Sequence, residues 1–326
     1  MSQNTAVYAL ALSARATLDM HSLNNEGGEG NQLQTRMVDV VGHDGRLHNV
    51  NAISGDMFKH IQAEHLYRIA RERKELPLCA ACSVFDANRI SADAGFMEAI
   101  SDFSDAEALD LMLQTCTLDD IEGNLLTGEG RSTPRKSVVE FGWVVGVPEI
   151  TTTDSYFHVK YAKDRGAAAE DVDEEARKAN LEQRIFHRPA SSGVYAVVNH
   201  YEISRIGYND ISQRYALDET ARKARYRALL ESILYTFVQP GGAMRATQLP
   251  HIVGFEGALT YTTAVLPAPT VSPLNPGYTD EIDGVVHALS ALRPGAVTLK
   301  RFDALSAFAA AIRELIETTT PYALAV

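Results

Sequence analysis

The chain has 326 residues, with 42 acidic and 30 basic side chains and a net charge of −12. This length is sufficient for one elaborated domain or for two. No apolar run approaches the roughly 20 residues of a membrane helix, and no basic region precedes an apolar stretch at the start of the chain, so the sequence predicts neither a membrane association nor a secretory signal.

The acidic side chains are concentrated in one segment. Residues 86–130 contain 11 acidic residues and one basic residue, Arg89, which gives a local charge of −10 and leaves −2 for the rest of the chain. A strongly acidic protein disfavours nucleic acid, but the nearly balanced remainder is compatible with a nucleic-acid surface. Basic clusters lie at Arg68–Lys74 and Arg222–Arg227, and we interpret the second as a solvated helix face or a subunit contact.

The first 74 residues predict a strand, a hairpin and a helix. Thr5–Thr17 is apolar on both faces, as in a buried central strand. Two runs in residues 35–53 flank a His43-Asp44-Gly45 turn and predict a hairpin. The apolar spacing after Ser54 predicts a helix to about Glu72.

Two segments interrupt the pattern that follows. After Pro77 an acidic, helical segment runs from Leu78 to about Leu126. A charged segment of mixed pattern, Thr151–Gln183, contains a disordered-looking run, Gly166–Glu175. Between and after them we predict the strands Val138–Val147, Val194–Ile203 and His251–Thr262, the helices Asp218–Phe237 and Arg301–Thr318, and an exposed crossing loop, Leu266–Tyr278.

This order predicts an α+β fold. Strand, helix, strand, strand, helix, strand is the ferredoxin-like order that RNA-recognition domains use. We therefore assign residues 1–74, 138–147 and 191–326 to one core fold, the last of these with a C-terminal helix, and residues 75–137 and 148–190 to two insertions.

The segment Asn51–Glu64 predicts the start of that first helix. Ser54 caps it, and Gly55 allows close approach of a ligand. A helix N-terminus attracts phosphate, and Lys59 and His60 lie about one turn further on. An ordinary capped amphipathic helix is the alternative interpretation.

The cysteines give a weaker pattern. Cys79-Ala-Ala-Cys82 has the spacing of redox and zinc sites, but no second such pair and no histidine pair at zinc-finger spacing follows it. The surrounding run Leu78–Val84 is apolar, so we interpret these residues as buried structural cysteines and predict no metal site; a redox or metal role is the alternative. With Cys116 they form a small, odd set, which suggests the reducing cytoplasm.

With these features the chain resembles the DevR-type backbone subunits of type I CRISPR interference complexes (Cascade), of the kind found in type I-A and I-B systems. The residues that carry the resemblance are Tyr8–Arg15, the loop around Asn24, Asn51–His60, Ser192–Tyr195, Gly241–Arg245 and Leu249-Pro250. The resemblance implies a hand-shaped subunit, with a modified ferredoxin-like, RNA-recognition-like palm, a helical insertion as fingers and a β-hairpin as thumb.

The resemblance also implies the function. Copies of the chain would form a helical filament along CRISPR guide RNA, beside other Cascade subunits, and would present the guide for pairing with a target DNA strand. Such a subunit is not catalytic and needs no cofactor. Since a guide varies in sequence, the subunit is expected to hold phosphates rather than bases.

Particular residues match the family pattern. Lys59 matches a basic position that grips guide phosphate, as does Arg36. The residues Gly241, Gly242 and Arg245 match a Gly-rich RNA-binding loop, in which Met244 either wedges against a base or packs ordinarily. Arg15 either reaches RNA or pairs with a carboxylate at the core edge, and His60 is either a ligand or an ordinary helix histidine.

Two other function classes are alternatives. A metal-dependent RNA endonuclease would need clustered carboxylates. Related type III subunits carry an acidic catalytic residue in the loop after the first strand, and Asp19, which is close to His21, and Glu26 lie near that place. A transcriptional autoregulator would need a DNA-reading element such as a helix-turn-helix, and the sequence contains no clear one.

Overall fold

The computed structural model describes residues 5–29, 32–128, 130–160 and 184–325, so the predicted Gly166–Glu175 run lies outside it. The first part of the chain forms β1 (Thr5–Val7), β2 (Ala9–His21), β3 (Asn25–Glu29), β4 (Gln32–Thr35), β5 (Met37–Val41), β6 (Leu47–Ile53) and α1 (Gly55–Glu72). The acidic insertion forms α2 (Ala80–Ser83), α3 (Ala94–Ala99), α4 (Asp105–Thr115), α5 (Thr117–Glu122), β7 (Asn124–Gly128) and β8 (Arg131–Arg135).

The rest of the chain begins and ends with strands. It forms β9 (Val139–Phe141), β10 (Val144–Lys160), β11 (Arg184–Tyr201), β12 (Tyr208–Asn209), β13 (Arg214–Tyr215), α6 (Glu219–Val238), β14 (His251–Thr262), α7 (Tyr278–Leu292), β15 (Val297–Phe302), α8 (Leu305–Thr318) and β16 (Thr319–Pro321). Among the helices of the described residues, none combines the length and the apolar character needed to cross a bilayer.

A central antiparallel sheet organises this mixed α/β fold. Its strands follow the order β15-β14-β2-β11-β10-β6-β5, and each neighbouring pair is antiparallel. β2 lies in the interior of the sheet, with Leu12 opposite Asn199 of β11 and Leu259 of β14. Its side chains are buried on both faces along most of its length, which is why its sequence is apolar without alternation.

The two faces of the sheet carry different helices. On one face, Leu10 and Leu12 share a core with Phe58 of α1, Phe237 of α6 and Phe308 of α8. The rings of Phe237 and Phe308 pack on Phe255 of β14, with centroids 4.7 and 5.0 Å away. On the other face, α7 packs through Tyr278 and Ile282 against Ala258 of β14.

The strands β10 and β11 continue past the sheet as a long hairpin. They pair from Thr151 opposite Gly193 to Lys160 opposite Arg184, whereas β2 pairs with β11 only as far as Ser191. Beyond that point the described hairpin has one further strand contact, from His187 to Gln32 of β4. At a rise of about 3.3 Å per residue, the seven outer residues extend roughly 20 Å.

Several predicted elements are confirmed and others are wrong in extent. Helix α1 and the hairpin of β5 and β6 have the expected bounds within two residues. The acidic insertion contains a β-hairpin, β7 and β8, besides its short helices. The Leu266–Tyr278 segment leads into an unpredicted helix, α7, and the C-terminal helix begins at Leu305 rather than Arg301 because β15 continues to Phe302.

Two of the four basic residues in the Arg222–Arg227 cluster on α6 are buried, so its interpretation as a solvated face or subunit contact was wrong for Arg222 and Arg225. The Arg225 guanidinium lies 2.7 Å from Asp120 of α5, which also pairs with Arg135 of β8 at 2.7 Å. Arg222 lies over the ring of Tyr215, 3.8 Å from its centroid. These arginines hold the acidic insertion and the end of the chain against α6.

Candidate nucleic-acid interface

The start of α1 is built by Ser54 and Asn24. Ser54 is the N-cap, and its hydroxyl oxygen accepts a hydrogen bond from the Met57 N–H at 3.2 Å. The N–H and hydroxyl of Ser54 donate to Oδ1 of Asn24, at 3.1 and 2.9 Å. The cap predicted from sequence is confirmed, and the buried Asn24 side chain fixes its orientation.

Gly55 is required by the protein itself. A Cβ at this position would lie 2.6 Å from the carbonyl oxygen of Phe141, the last residue of β9 before the connection to β10. The close approach expected here is therefore made by the chain's own backbone. A side chain at residue 55 would push that connection away from the helix start.

The Gly-rich loop packs against the chain just before Asn24. A Cβ at Gly242 would lie 2.6 Å from both the Cα and the carbonyl oxygen of Leu23, and the Ala243 N–H donates to the same Leu23 oxygen at 3.1 Å. The loop is also held at its ends, where the Gln239 carbonyl lies 3.0 Å from His65 Nε2 and the Gln248 amide donates to Pro189 at 2.8 Å. The loop and the helix start therefore meet at one corner of the sheet.

Arg245 is a half-exposed cation at this corner. Its guanidinium donates to both carboxylate oxygens of Glu64 on α1, at 2.9 and 3.1 Å, and 52% of its side chain is exposed. Partial burial opposes ionisation of Glu64, but Arg245 and Arg68 together hold its pKa below the usual value. Met244 lies beside Arg245 and is half-buried.

Lys59 and His60 face a different neighbourhood. They line a cavity of about 330 Å³ together with Arg89 and the acidic residues Asp56, Asp86 and Glu122. Burial lowers the pKa of Lys59, and the nearby Glu122 opposes that shift. The His60 ring lies 5.5 Å from the Phe85 ring. A phosphate at this position would meet cations of α1 and of the acidic insertion, but also three carboxyl groups.

Arg36 lies next to the start of α1. Its carbonyl oxygen accepts hydrogen bonds from the Ala52 N–H at 2.9 Å and the Asn51 side-chain amide at 3.0 Å. Its guanidinium lies over the ring of Trp143, 5.0 Å from the centroid. Trp143 is the only tryptophan of the chain and is 45% exposed. Together Arg36 and Trp143 form a cationic and aromatic surface.

Arg15 lies apart from this corner, on the face of the sheet that carries α7. Its guanidinium donates twice to the carbonyl oxygen of Pro273, at 2.8 and 3.0 Å, and lies 5.7 Å from the centre of the Tyr278 ring. Its hydrogen bonds therefore go to a backbone carbonyl, where we had expected a carboxylate as the alternative to RNA.

Asp19 and His21 both lie on β2, two residues apart. His21 is buried, with its ring 4.9 Å from that of Tyr195, and burial lowers its pKa to about 4. Within the described residues, Asp19 belongs to no group of three metal-ligating side chains. The side chain of Glu26 lies outside the described part of the chain.

Sequence reasoning missed Trp143 and one aromatic pair on the hairpin. Phe157 is 70% exposed, and its ring centre lies 4.3 Å from that of His187 across the strand pair. Trp143 could have been noticed from the sequence, because it is the single tryptophan and lies beside Gly142 in a predicted strand. The pairing of Phe157 with His187 had no local signal because 30 residues separate them.

Comparisons with known proteins give a family and distant structural likenesses. The family described as "CRISPR-associated negative auto-regulator DevR/Csa2" matches residues 12–283. No curated protein matches the chain.

Three solved structures share the fold only loosely. Chains of a "CRISPR RNA-guided surveillance complex, pre-nicking" and a "CRISPR RNA-guided surveillance complex" are each 12% identical, with TM-scores of 0.49 and 0.46; the matches cover 95% of this chain and 99% and 98% of those chains. Csc2 of Thermofilum pendens is 10% identical, with a TM-score of 0.39, and the match covers 95% of this chain and 85% of Csc2. At TM-scores below 0.5, these likenesses add no weight to the assignment.

Proposed function

This chain belongs to the DevR/Csa2 family of CRISPR-associated proteins, and from that membership we propose that it is a non-catalytic backbone subunit that binds CRISPR guide RNA. The family match over residues 12–283 carries the proposal. In this function the chain holds the RNA backbone, and base pairing between guide and target supplies sequence specificity.

The sheet supports a hand-shaped subunit with a ferredoxin-like palm. The strands β2, β10, β11 and β14, with α1 after the first and α6 after the third, give the strand, helix, strand, strand, helix, strand order. Their spatial order in the sheet, β14-β2-β11-β10, places the first strand beside the last. The fingers in this proposal are residues 75–137, and the thumb is the outer part of the β10 and β11 hairpin.

The proposed phosphate contacts lie at the corner where α1 starts and in the neighbouring cavity that Lys59 lines. Positive charge comes from Arg36, Arg245 and Lys59. The surface beside these cations, with its backbone polar groups, is formed by Ser54 and Gly55 at the helix start and by the loop residues Gly241, Gly242 and Met244. Arg245 is the best placed, because half of its side chain is exposed. Arg15 and His60 are secondary, since Arg15 bonds a carbonyl and His60 packs beside Phe85.

Trp143 offers a ring face on which a guide base would stack. Base stacking on an aromatic side chain contributes about 1–3 kcal/mol and tolerates any base, as a variable guide requires. We expect Trp143→Ala to weaken guide binding by that amount and Trp143→Phe to retain most of it. Equal affinity in all three proteins would remove Trp143 from the proposed interface.

The proposal is tested by what purifies with the protein. We expect the chain to elute in size-exclusion chromatography as an RNA-containing oligomer that lengthens with the guide supplied, because stacked copies share many weak phosphate contacts. Absorbance at 260 and 280 nm and sequencing of the bound RNA identify the cargo. A monomer that carries no nucleic acid and ignores added guide RNA would contradict the proposal, as would metal-dependent cleavage of complementary RNA that Asp19→Ala abolishes.

A further inference from the structure

All three cysteines of the chain meet at one buried place. One ligand atom from each of Cys79, Cys82, Cys116 and Asp119 lies within 4.8 Å of the others, and all four residues are buried. No role in guide binding uses them. The cluster lies where the acidic insertion leaves α1, at the start of α2 and the start of α5.

The two helix starts supply matching pairs of side chains. Cys79 and Cys116 are the N-cap residues of α2 and α5, and Cys82 and Asp119 are the third residues of the same helices. An N-cap side chain and the N3 position of its helix lie close together, so each pair converges. A backbone hydrogen bond from the Thr117 N–H to the Pro77 carbonyl, 2.8 Å, holds the two helix starts side by side.

The polar atoms around the cluster are arranged for anionic ligands. The Cys82 N–H donates to Sγ of Cys79 at 3.3 Å. Oδ1 of Asp119 accepts from the Ile90 N–H at 3.3 Å, and Oδ2 faces the sulfur of Cys82 at 3.3 Å. One carboxylate oxygen is thus fixed by the backbone, while the other points at the thiols.

Without a cation, the four acidic groups have to share protons in an apolar pocket. Cys82, Cys116 and Asp119 are fully buried and Cys79 is 2% exposed, so a bare thiolate or carboxylate here has no solvent to stabilise it. A divalent cation replaces those protons and stabilises all four anions together.

We propose that Cys79, Cys82, Cys116 and Asp119 bind one zinc ion as a structural site. Thiolate ligands select zinc over magnesium or calcium, and four protein ligands leave no open position for catalysis. Tetrahedral zinc with bonds of about 2.3 Å places its sulfurs about 3.8 Å apart, so the ligand atoms need to move together by at most about 1 Å. The ion would tie the segment after α1 to α5, and this role stands whether or not the chain binds RNA.

This site was not recognisable from the sequence, because the second pair of proposed ligands ends in a carboxylate rather than a cysteine. Cys116-Thr-Leu-Asp119 repeats the spacing of Cys79-Ala-Ala-Cys82, but with aspartate in place of the last cysteine. A search for a second cysteine pair or a histidine pair therefore fails, which is why the sequence alone favoured buried structural cysteines.

Metal content and cobalt spectroscopy of the full chain test the proposal. We expect purified protein to contain about one zinc per chain, and its thiols to react with a thiol reagent only after a chelator is added. Cobalt substitution should give tetrahedral ligand-field bands and a thiolate-to-cobalt charge-transfer band. Ala80→Ser, an exposed change between two of the ligands, is the matched control and should keep the metal.

Two variants separate ligation from folding. Cys116→Ser should lose the zinc, and Asp119→Cys should keep it and raise the charge-transfer intensity by about a third, as three thiolates become four. Folded wild type with no zinc, no cobalt bands and three thiols that react without chelator would overturn the proposal, as would a disulfide that removes two of the thiols. An unchanged cobalt spectrum in Asp119→Cys would overturn Asp119 as a ligand.

Discussion

At the scale of single residues, the surroundings of Arg245 and Lys59 distinguish two kinds of proposed phosphate contact. Because half of the Arg245 side chain is exposed, a phosphate can approach it from solvent. Its counter-ion, Glu64, is shared with Arg68. Lys59 is more enclosed, and carboxyl groups surround it. The two residues carry the same charge and differ in how accessible they are to a phosphate from solvent.

We predict that Arg245→Ala weakens guide-RNA binding by roughly 1 kcal/mol and that Lys59→Ala weakens it less. Each lost contact with a single strand should also lower the slope of log affinity against log salt by about 0.7. Fluorescence anisotropy with a labelled guide at several salt concentrations measures both quantities.

Arg313→Ala is the matched control for these variants, because Arg313 is an exposed arginine on α8, with 73% of its side chain accessible. It should change neither the affinity nor the slope. If Arg245→Ala and Lys59→Ala both behave like Arg313→Ala, the corner at the start of α1 is not the guide-binding site, although the fold assignment would stand.

His21 makes folding sensitive to acid. Its pKa is about 4 in the folded protein, because burial disfavours the charged ring, against 6.5 when exposed. Between pH 6.5 and 4 the unfolded chain therefore binds a proton that the folded chain does not. The free energy of unfolding falls as the pH falls through this range, by up to about 3 kcal/mol from this residue.

We predict that His21→Phe flattens this part of the pH profile while keeping a ring against Tyr195. Urea unfolding of wild type and variant at pH 7 and pH 4.5 measures the difference. His287→Gln, at a histidine whose side chain is 79% exposed, should leave the wild-type profile unchanged. An equal loss of stability in wild type and His21→Phe on going to pH 4.5 would show that another group causes the acid sensitivity.

At the scale of elements, Asp120 joins three parts of the chain. It lies on α5, its carboxylate pairs with Arg135 of β8 and Arg225 of α6, and it accepts the Gly207 N–H at 3.0 and 3.1 Å. All three ionic side chains are at most 1% exposed. Removing the one carboxylate would leave two guanidinium groups buried without their main counter-charge.

We predict that Asp120→Ala lowers the free energy of unfolding by about 3–5 kcal/mol, the usual cost of breaking a buried ion pair from one side. Chemical unfolding followed by circular dichroism measures it. Glu219→Ala removes an exposed carboxylate from α6 and should leave the unfolding midpoint unchanged. A shift for Asp120→Ala as small as that of Glu219→Ala would contradict a structural role for the cluster.

Elements with local signals were predictable from sequence, and those specified by distant contacts were not. The cap at Ser54 and the turn at Gly45, where φ is +75°, are specified by residues that are adjacent in the sequence. By contrast, β15 is short and exists because Val297–Phe302 pairs with Gly257–Thr262. The outer hairpin likewise depends on pairing between residues 24 or more positions apart, and its charged sequence resembles a loop.

The candidate site shows the same division. Ser54 and the Gly-rich loop were recognisable, but the reasons for Gly55 and Gly242 were not, because Phe141 and Leu23 are distant in sequence. The burial of individual side chains could not be predicted from the sequence either. Arg225 and Asp120 look like surface charges until packing places them opposite each other, and Asp119 becomes a candidate ligand only beside the cysteines.

At the scale of the whole molecule, the uneven distribution of charge makes RNA binding compatible with a net charge of −12. Most of the excess belongs to residues 86–130, and part of it is internal, since Asp119, Asp120 and Glu122 are buried. The rest of the chain, to which the sheet and the corner at α1 belong, carries a net charge of only −2. A filament on RNA needs only a few phosphate contacts per copy, because neighbouring copies bind the same strand.

From this distribution we predict guide binding that is sensitive to salt and insensitive to guide sequence. Phosphate contacts dominate, so log affinity should fall linearly with log salt, and two unrelated guides of equal length should give superimposable lines. Titration of both guides across a salt series measures this, with Arg245→Ala as a parallel sample whose lines should be shallower for both guides alike. A difference of more than about 2 kcal/mol between guides, the size of one good base contact, would show that the chain reads bases and would contradict a backbone subunit that accepts any guide.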